Sequence, residues 1–112
     1  IKILSKHKNS VIFGAGHNSI IFINLFKLGR YIKYIIDDDK NKINKYSPYS
    51  KIKIVSSNVL SSDVLSICLL AMNPEIEKKI ISKFKKFKGE FYSIYTDSNM
   101  FIMNKKKKDD KN

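Results

Sequence analysis

Short apolar runs and polar turns alternate along the chain in an order typical of α/β domains. Residues Ser10 to Phe13 form a β-branched run that is apolar on both faces, as central parallel strands are, and it ends at Gly14-Ala15-Gly16. A helix that is apolar almost all round is predicted from Asn18 to Leu28, with Gly29 as the C′ residue that ends it. Further strands are predicted at residues 31–36, 52–55, 64–71 and 90–95, with a polar loop at 40–50 and a short helical turn at 56–62.

The second predicted helix has clear start and stop signals. Asn73 can cap it, Pro74 suits the first helical position, and Gly89 is predicted to end it. Residues 100–103 are expected to lie along the body of the domain. The predicted buried stripe of this helix comprises Ile76, Ile80, Ile81, Phe84 and Phe87, and its lysines face water.

This order of elements predicts an α/β fold: a Rossmann-like, doubly wound sheet of about five parallel strands in the order 3-2-1-4-5. The ligand crevice of such a sheet lies outside the carboxyl ends of strands one and four, where the strand order reverses. The domain is expected to span residues 10–103, after a basic leader or linker at 1–9 and before a disordered, lysine-rich tail at 104–112. The outer face of the first helix should be buried by another part of the domain or by a neighbour.

The charge of the chain changes this picture little. A formal net charge of +12 on 112 residues suggests a nucleic-acid ligand. However, five lysines lie in the tail and Arg30 is the only arginine, whereas specific phosphate and base contacts favour arginine. A solvated lysine surface is the simpler explanation, and specific nucleic-acid binding is not expected.

The apolar residues also bear on location. No apolar run reaches the roughly 18 residues of a membrane span, and no signal peptide is recognisable, so no membrane association is predicted. Cys68 is the single cysteine and lies inside an apolar run. We expect it to be a buried packing residue in a protein of the reducing cytoplasm.

Residues Gly14 to Ser19 occupy the place of a phosphate-binding turn. Glycine permits close backbone approach, and the free N–H groups at the start of the following helix attract an anion. The complete dinucleotide fingerprint would have a third glycine where Ser19 stands, and Ser19 can instead cap the helix or donate its hydroxyl to phosphate. A plain tight turn without a ligand is the alternative.

Asp37 and His17 are the other candidates for ligand contact. Asp37 lies 23 residues after Gly14, near the spacing at which an acidic side chain meets a ribose hydroxyl, although Asp37 and Asp38 can equally begin a polar loop. His17 can contact phosphate, but no nearby carboxylate in the sequence orients it as a general base, so catalysis is not expected. One cysteine and two distant histidines do not supply a metal site. These patterns favour binding over chemistry.

Seven short segments follow one another along the chain in a recognisable order: Gly14-Ala15-Gly16-His17, Phe22-Ile23-Asn24-Leu25, residues 36–42, Tyr46-Ser47-Pro48, residues 52–56, residues 69–75 and Gly89-Glu90-Phe91. With these segments the chain resembles the carboxy-terminal domain of S-adenosylmethionine (SAM)-dependent C-methyltransferases that act on nucleotide-linked deoxysugars. The resemblance runs from about Ser10 to Phe101, and its motifs are moderately specific together although each is weak when taken alone.

The resemblance implies a Rossmann-like module that follows a zinc-binding domain and a central methyltransferase domain. Because neither domain lies in these residues, neither zinc nor SAM is expected to bind here. Since the chain begins at Ile1, we expect it to be a piece of a longer protein or a processed product. The sequence departs from the family at Ile43-Asn44 and at Pro48-Tyr49, where a glycine and a Pro-Gly are frequent, so the loop from residue 37 to 50 is expected to differ in shape.

The leading hypothesis is therefore a non-catalytic module that binds a nucleotide sugar or a related anionic small molecule, beside a methyltransferase domain in cis or as a separate partner. A regulatory domain that binds NAD or an adenine nucleotide, and a purely structural protein-interaction domain, remain the alternatives. For Asn73, as for Pro74, the capping role is the stronger explanation. The predicted ligand-binding residues are Gly14, Ala15, Gly16, His17, Asn18, Ser19, Asp37, Asp38 and Asn73.

Overall fold

Nine short elements make up the structure, a computed structural model that describes residues 2–6, 9–62 and 64–103. The predicted tail at 104–112 lies outside the described residues. The helices are α1 (Lys2–Lys6), α2 (His17–Leu25) and α3 (Pro74–Lys83), with a 3₁₀ helix at Ser57–Ser61. The strands are β1 (Ser10–Phe13), β2 (Ile32–Ile36), β3 (Ile54–Val55), β4 (Ile67–Leu70) and β5 (Glu90–Ser93).

The five strands form one sheet in the order β3-β2-β1-β4-β5, and all neighbours are parallel. This confirms the predicted fold class and strand order. Ile12 pairs with Ile35 on one side and with Leu69 on the other, so β1 is hydrogen-bonded along both edges. The order reverses at β1, which is where a doubly wound sheet opens its crevice.

The core lies in two layers because β1 points alternate side chains to opposite faces of the sheet. Ile12 faces the layer that includes Ile23 of α2 and Leu4 of α1. Val11 and Phe13 face the other layer, which α3 and the 3₁₀ helix cover. Residues 2–6, within the segment expected to be a leader, thus form a helix that contributes Leu4 to the core.

Helix α2 ends earlier than the sequence predicted, and a residue other than Gly29 takes the C′ position. Its last helical residue is Leu25, and the left-handed residue that follows the cap is Lys27, with φ 54°. The Leu28 N–H donates to the Ile23 carbonyl at 2.9 Å and the Lys27 N–H donates to the Asn24 carbonyl at 3.3 Å, which together form a Schellman motif. The prediction of Gly29 as the C′ residue was wrong, because burial of Leu28 against Ile23 sets the end of the helix.

Helix α3 begins as predicted but exposes a different face. Asn73 accepts a hydrogen bond from the Ile76 N–H at 3.0 Å, and Pro74 is the first helical residue. Glu77 is buried, whereas Ile76 is 42% exposed. The predicted stripe was therefore wrong at Ile76, which lies about 100° around the helix from Glu77. Residues 77, 80, 81 and 84 follow the i, i+3, i+4, i+7 spacing of the inward face.

The end of α3 also differs from the prediction. The helix stops at Lys83 rather than at Gly89. Gly89 is needed for a different reason, since a Cβ atom there would overlap the Ser66 carbonyl at the edge of β4. None of the helices within the described residues has the length and apolar character needed to cross a membrane.

The Schellman motif predicts the effect of two glycine substitutions on stability. Lys27→Gly should raise the free energy of unfolding by about 1 kcal/mol, because glycine adopts the left-handed conformation without steric cost. Gly29→Ala should change it by less than about 0.5 kcal/mol, because Gly29 has no positive φ. Urea unfolding measures both values. A loss of about 1 kcal/mol in Gly29→Ala would mean that Gly29 ends the helix after all.

Cys68 is completely buried in the middle of β4, which confirms its predicted packing role. Burial raises the pKa of its thiol, so the reactive thiolate does not form in the folded protein near neutral pH. We expect a disulfide-exchange reagent to label the native protein at least on the order of 1,000-fold more slowly than the protein in denaturant. Rapid labelling of the native protein would contradict this placement of β4.

Candidate functional site

The glycine turn lies at the carboxyl edge of the sheet, between the ends of β2 and β4. The Gly14 N–H donates to the Ile36 carbonyl at 2.7 Å, and the Ala71 N–H donates to the Phe13 carbonyl at 3.0 Å. Because β1 runs between β2 and β4, the chain leaves it where the strand order reverses. The turn from Gly14 to Ser19 thus lies at the crevice position of a doubly wound sheet.

Two glycines shape the turn in different ways. Gly14 has φ +115°, and a Cβ atom on it would lie 3.2 Å from the Ala71 carbonyl oxygen. Glycine is therefore required at Gly14 by both backbone conformation and space. Gly16 has an ordinary φ of −89°, and nothing lies within 4 Å of the position of its Cβ. The space in front of Gly16 is open.

The amino terminus of α2 faces this open space. Gly16 is its N-cap residue and has no side chain, so the N-cap position offers no side-chain acceptor to the N–H groups of the first turn. These N–H groups and the helix dipole give the terminus a partial positive charge. This geometry can hold an anion such as a phosphate group.

Asp37 holds the turn from the end of β2. Its Oδ2 accepts a hydrogen bond from the Ala15 N–H at 3.1 Å, and its Oδ1 accepts one from the Asp39 N–H at 2.9 Å. Lys42 Nζ lies 3.7 Å from Asp37 Oδ2 and forms a partly exposed ion pair with it. The Ala15 N–H is therefore engaged within the protein, and its predicted contact with a ligand phosphate would require Asp37 to move.

Three further predicted residues also have internal partners. The buried hydroxyl of Ser19 donates to the Gly14 carbonyl, and this hydrogen bond stabilises the turn on its buried side. The carboxylate of Asp38 accepts from the Ser57 N–H at 2.8 Å and from its hydroxyl at 2.7 Å, at the start of the 3₁₀ helix. Asn73 caps α3. These contacts give Ser19, Asp38 and Asn73 structural roles, and their contact with a ligand stays a prediction.

His17 and Asn18 are exposed at the mouth of the turn. Asn18 Nδ2 donates to the Tyr95 hydroxyl oxygen at 2.8 Å. Tyr95 was not among the predicted site residues and lies 77 residues away from Asn18 in the chain. The signal that could have found it is a tyrosine two residues beyond the last strand, because the carboxyl ends of parallel strands meet at one edge.

The segment that carries Tyr95 is held in place by α3. Ser98 donates its hydroxyl to Glu77 Oε1 at 2.7 Å, and both residues are buried. The Ser93 N–H donates to the Met100 carbonyl at 2.8 Å, which closes the segment into a loop beside the turn. The buried Glu77 of α3 thus anchors the loop that brings Tyr95 to Asn18.

A groove of about 500 Å³ lies elsewhere, between the 3₁₀ helix and the end of α3. Its lining includes Leu60, Phe84 and Phe87, and it contains none of the predicted site residues. Within residues 2–6, 9–62 and 64–103, no three His, Cys, Asp or Glu side chains come together in a way that could hold a metal ion.

Two comparisons with known proteins found a match, one to a family model and one to a solved structure. A family model described as "C-methyltransferase C-terminal domain" matches residues 1–97. The structure is similar to that of UDP-D-quinovosamine 4-dehydrogenase from Vibrio fischeri, with a TM-score of 0.62 and 24% sequence identity over 87% of this chain and 84% of that chain. At this identity the likeness shows the fold. No protein of curated function matches the chain.

The geometry of the two turn glycines predicts losses of different size for the same substitution. Gly14→Ala should lower the free energy of unfolding by about 1–3 kcal/mol, because it combines backbone strain with the close Ala71 carbonyl. Gly16→Ala should lower it by less than about 1 kcal/mol, since only the weaker N-cap preference changes. Urea unfolding of both variants measures the difference. Equal losses would contradict the geometry of the turn.

Proposed function

The chain belongs to the C-methyltransferase C-terminal domain family, and from this we propose that it is the nucleotide-sugar-binding module of a SAM-dependent C-methyltransferase. In this proposal the methyl group is transferred by another domain, in cis or as a separate polypeptide. The solved structure of the same fold is named for a UDP-linked sugar, which suggests the same class of ligand for this chain.

One observation carries the proposal: the uncapped amino terminus of α2 opens onto empty space at the carboxyl edge of the sheet. In our proposal the diphosphate of the ligand accepts hydrogen bonds from the N–H groups of Gly16, His17 and Asn18. The helix dipole adds about 0.3–1 kcal/mol to the binding of an anion at such a position. Ser19 supports the site from behind by holding the Gly14 carbonyl.

Asp37 and Lys42 would contact different parts of the ligand, Asp37 a hydroxyl and Lys42 a phosphate. Each carboxylate oxygen of Asp37 already accepts one N–H and has a second lone-pair direction, which suits a sugar or ribose hydroxyl. The ammonium of Lys42 lies beside it and is partly exposed, which suits a phosphate oxygen. The pairing with Lys42 also reduces the repulsion between Asp37 and an incoming phosphate.

Chemistry would take place elsewhere in the enzyme. His17 makes no hydrogen bond to a carboxylate among the described contacts, so nothing orients it as a general base. We propose that SAM and zinc bind to other domains and that the enzyme works in the cytoplasm, where its free Cys68 thiol would remain reduced. We also propose a role in polysaccharide biosynthesis, a process that consumes nucleotide sugars.

Amide chemical shifts of the labelled chain test the proposal. Titration with a UDP-sugar, a thymidine diphosphate sugar and NAD to millimolar concentration should shift Gly16, His17 and Asn18 most strongly with a sugar nucleotide. No shift at these residues with any of the three ligands would contradict the proposal. A clear preference for NAD would favour the regulatory alternative instead.

Two charge-matched variants separate binding from folding. Gly16→Asp should keep or raise the stability, because aspartate is a good N-cap residue, but should abolish ligand shifts because its carboxylate occupies the anion position. Gly29→Asp removes the same net charge away from the turn and should leave the ligand affinity within about twofold. Equal loss of affinity in both variants would indicate binding to the lysine surface in general.

A further inference from the structure

The outward face of α2 is apolar and exposed. Ile21 is 45% exposed and Leu25 is 69% exposed, and their i, i+4 spacing places them in one stripe. Phe26, just beyond the helix, is also exposed. The loop residue Tyr49 lies nearby, since its neighbour Ser50 donates a hydrogen bond to Asn24 of α2 at 2.8 Å. We refer to Ile21, Leu25, Phe26 and Tyr49 as the α2 patch.

Tyr49 combines a strained backbone with an exposed side chain. Its backbone is left-handed, with φ 65°, which costs on the order of 1 kcal/mol in a residue other than glycine. The residue is nevertheless 86% exposed, so contacts within the described chain offset little of this cost. Strain of this kind is typical of functional surfaces.

The α2 patch has no charged residue of its own. With 29% of the chain charged, a nine-residue helix would carry roughly two or three charges, but His17–Leu25 has no Asp, Glu, Lys or Arg. By contrast, five of the ten residues of α3 are charged. Depletion of charge is typical of the centre of a protein interface.

The residues that the structure leaves undescribed contain too few apolar side chains to cover the patch. Residues 1, 7–8, 63 and 104–112, the positions that the structure leaves undescribed, contain one apolar side chain, Ile1. A lysine-rich tail cannot bury three large apolar side chains at a favourable free energy. A partner that covers the patch would therefore come from outside this chain.

The charged residues that flank the patch in the sequence indicate which partner. Lys27 directly follows Phe26 and Lys51 lies two residues after Tyr49, whereas residues 17–36 and 43–56 contain no acidic residue. A second copy would bring the basic residues of two patches close together, which is destabilising. A partner with an apolar centre and an acidic rim would be complementary to this surface.

We infer that the α2 patch is the docking surface for the methyl-transferring domain of the same enzyme, which presents an apolar surface with an acidic rim. This inference rests on the proposed function, because the amino end of α2 is also the proposed diphosphate site. A domain docked along α2 would lie beside the bound sugar nucleotide. That arrangement would bring the methyl donor to a ligand held by this chain.

The test mixes the labelled chain with the SAM-binding domain of its enzyme, made as a separate polypeptide. Concentrations up to about 1 mM match the effective concentration of domains joined by a short linker. Binding should shift the amide signals of Ile21, Leu25 and Tyr49, and Leu25→Glu should weaken the affinity at least about tenfold. Lys27→Glu should weaken it several-fold, and less so at high salt.

Ile76→Glu is the matched control, because Ile76 is an exposed apolar residue on α3, outside the α2 patch. It should leave the affinity within about twofold. No binding, binding that Leu25→Glu does not weaken, or a homodimer that Leu25→Glu disrupts would each overturn the inference. Sugar-nucleotide titration of the same samples distinguishes the two proposals, since a failure of the ligand site would leave docking intact, and a failure of docking would leave the ligand shifts intact.

Discussion

The position of β1 between β2 and β4 is the constraint on which the rest of the structure depends. Its four residues are buried and pair on both sides, so both sheet faces must be covered by helices. The chain can leave such a strand only at its carboxyl end, between two neighbours. The sharp turn at Gly14, the start of α2 and the crevice all follow from this exit.

Contacts within the protein fix the shape of the turn. The Asp37 carboxylate and the Ser19 hydroxyl fix the backbone on either side of Gly16, and the N–H groups of the first helical turn remain without a side-chain cap. A site shaped in this way has little conformational entropy to lose on binding. The loop that carries Tyr95 contacts Asn18 of the turn from the side of β5.

Helix α2 links the two proposals through its three surfaces. Its inner face, with Phe22 and Ile23, is part of the core. Its amino terminus is the proposed anion site, and its outer face with Leu25 is the proposed docking surface. Since a rigid helix serves all three, a change in its position would affect ligand and partner together.

The sequence by itself determined the elements that follow local rules. The buried strand at Ser10–Phe13, the glycine turn after it and the Asn73 cap were all predictable, because strand periodicity and capping depend on residues close together in the chain. The strand order also followed, since right-handed parallel crossovers leave few alternatives. The loop departures at Asn44 and Tyr49 proved to adopt the left-handed backbone that glycine favours.

Only the tertiary structure decided which side chains meet at the site. The contact of Asp37 with Ala15, that of Tyr95 with Asn18 and the burial of Glu77 all join segments that lie far apart in the sequence. The packing of Leu28, rather than residue preference, likewise decided that Lys27 takes the left-handed position after α2. Such contacts depend on how helices and loops sit on the finished sheet, and no local pattern specifies that.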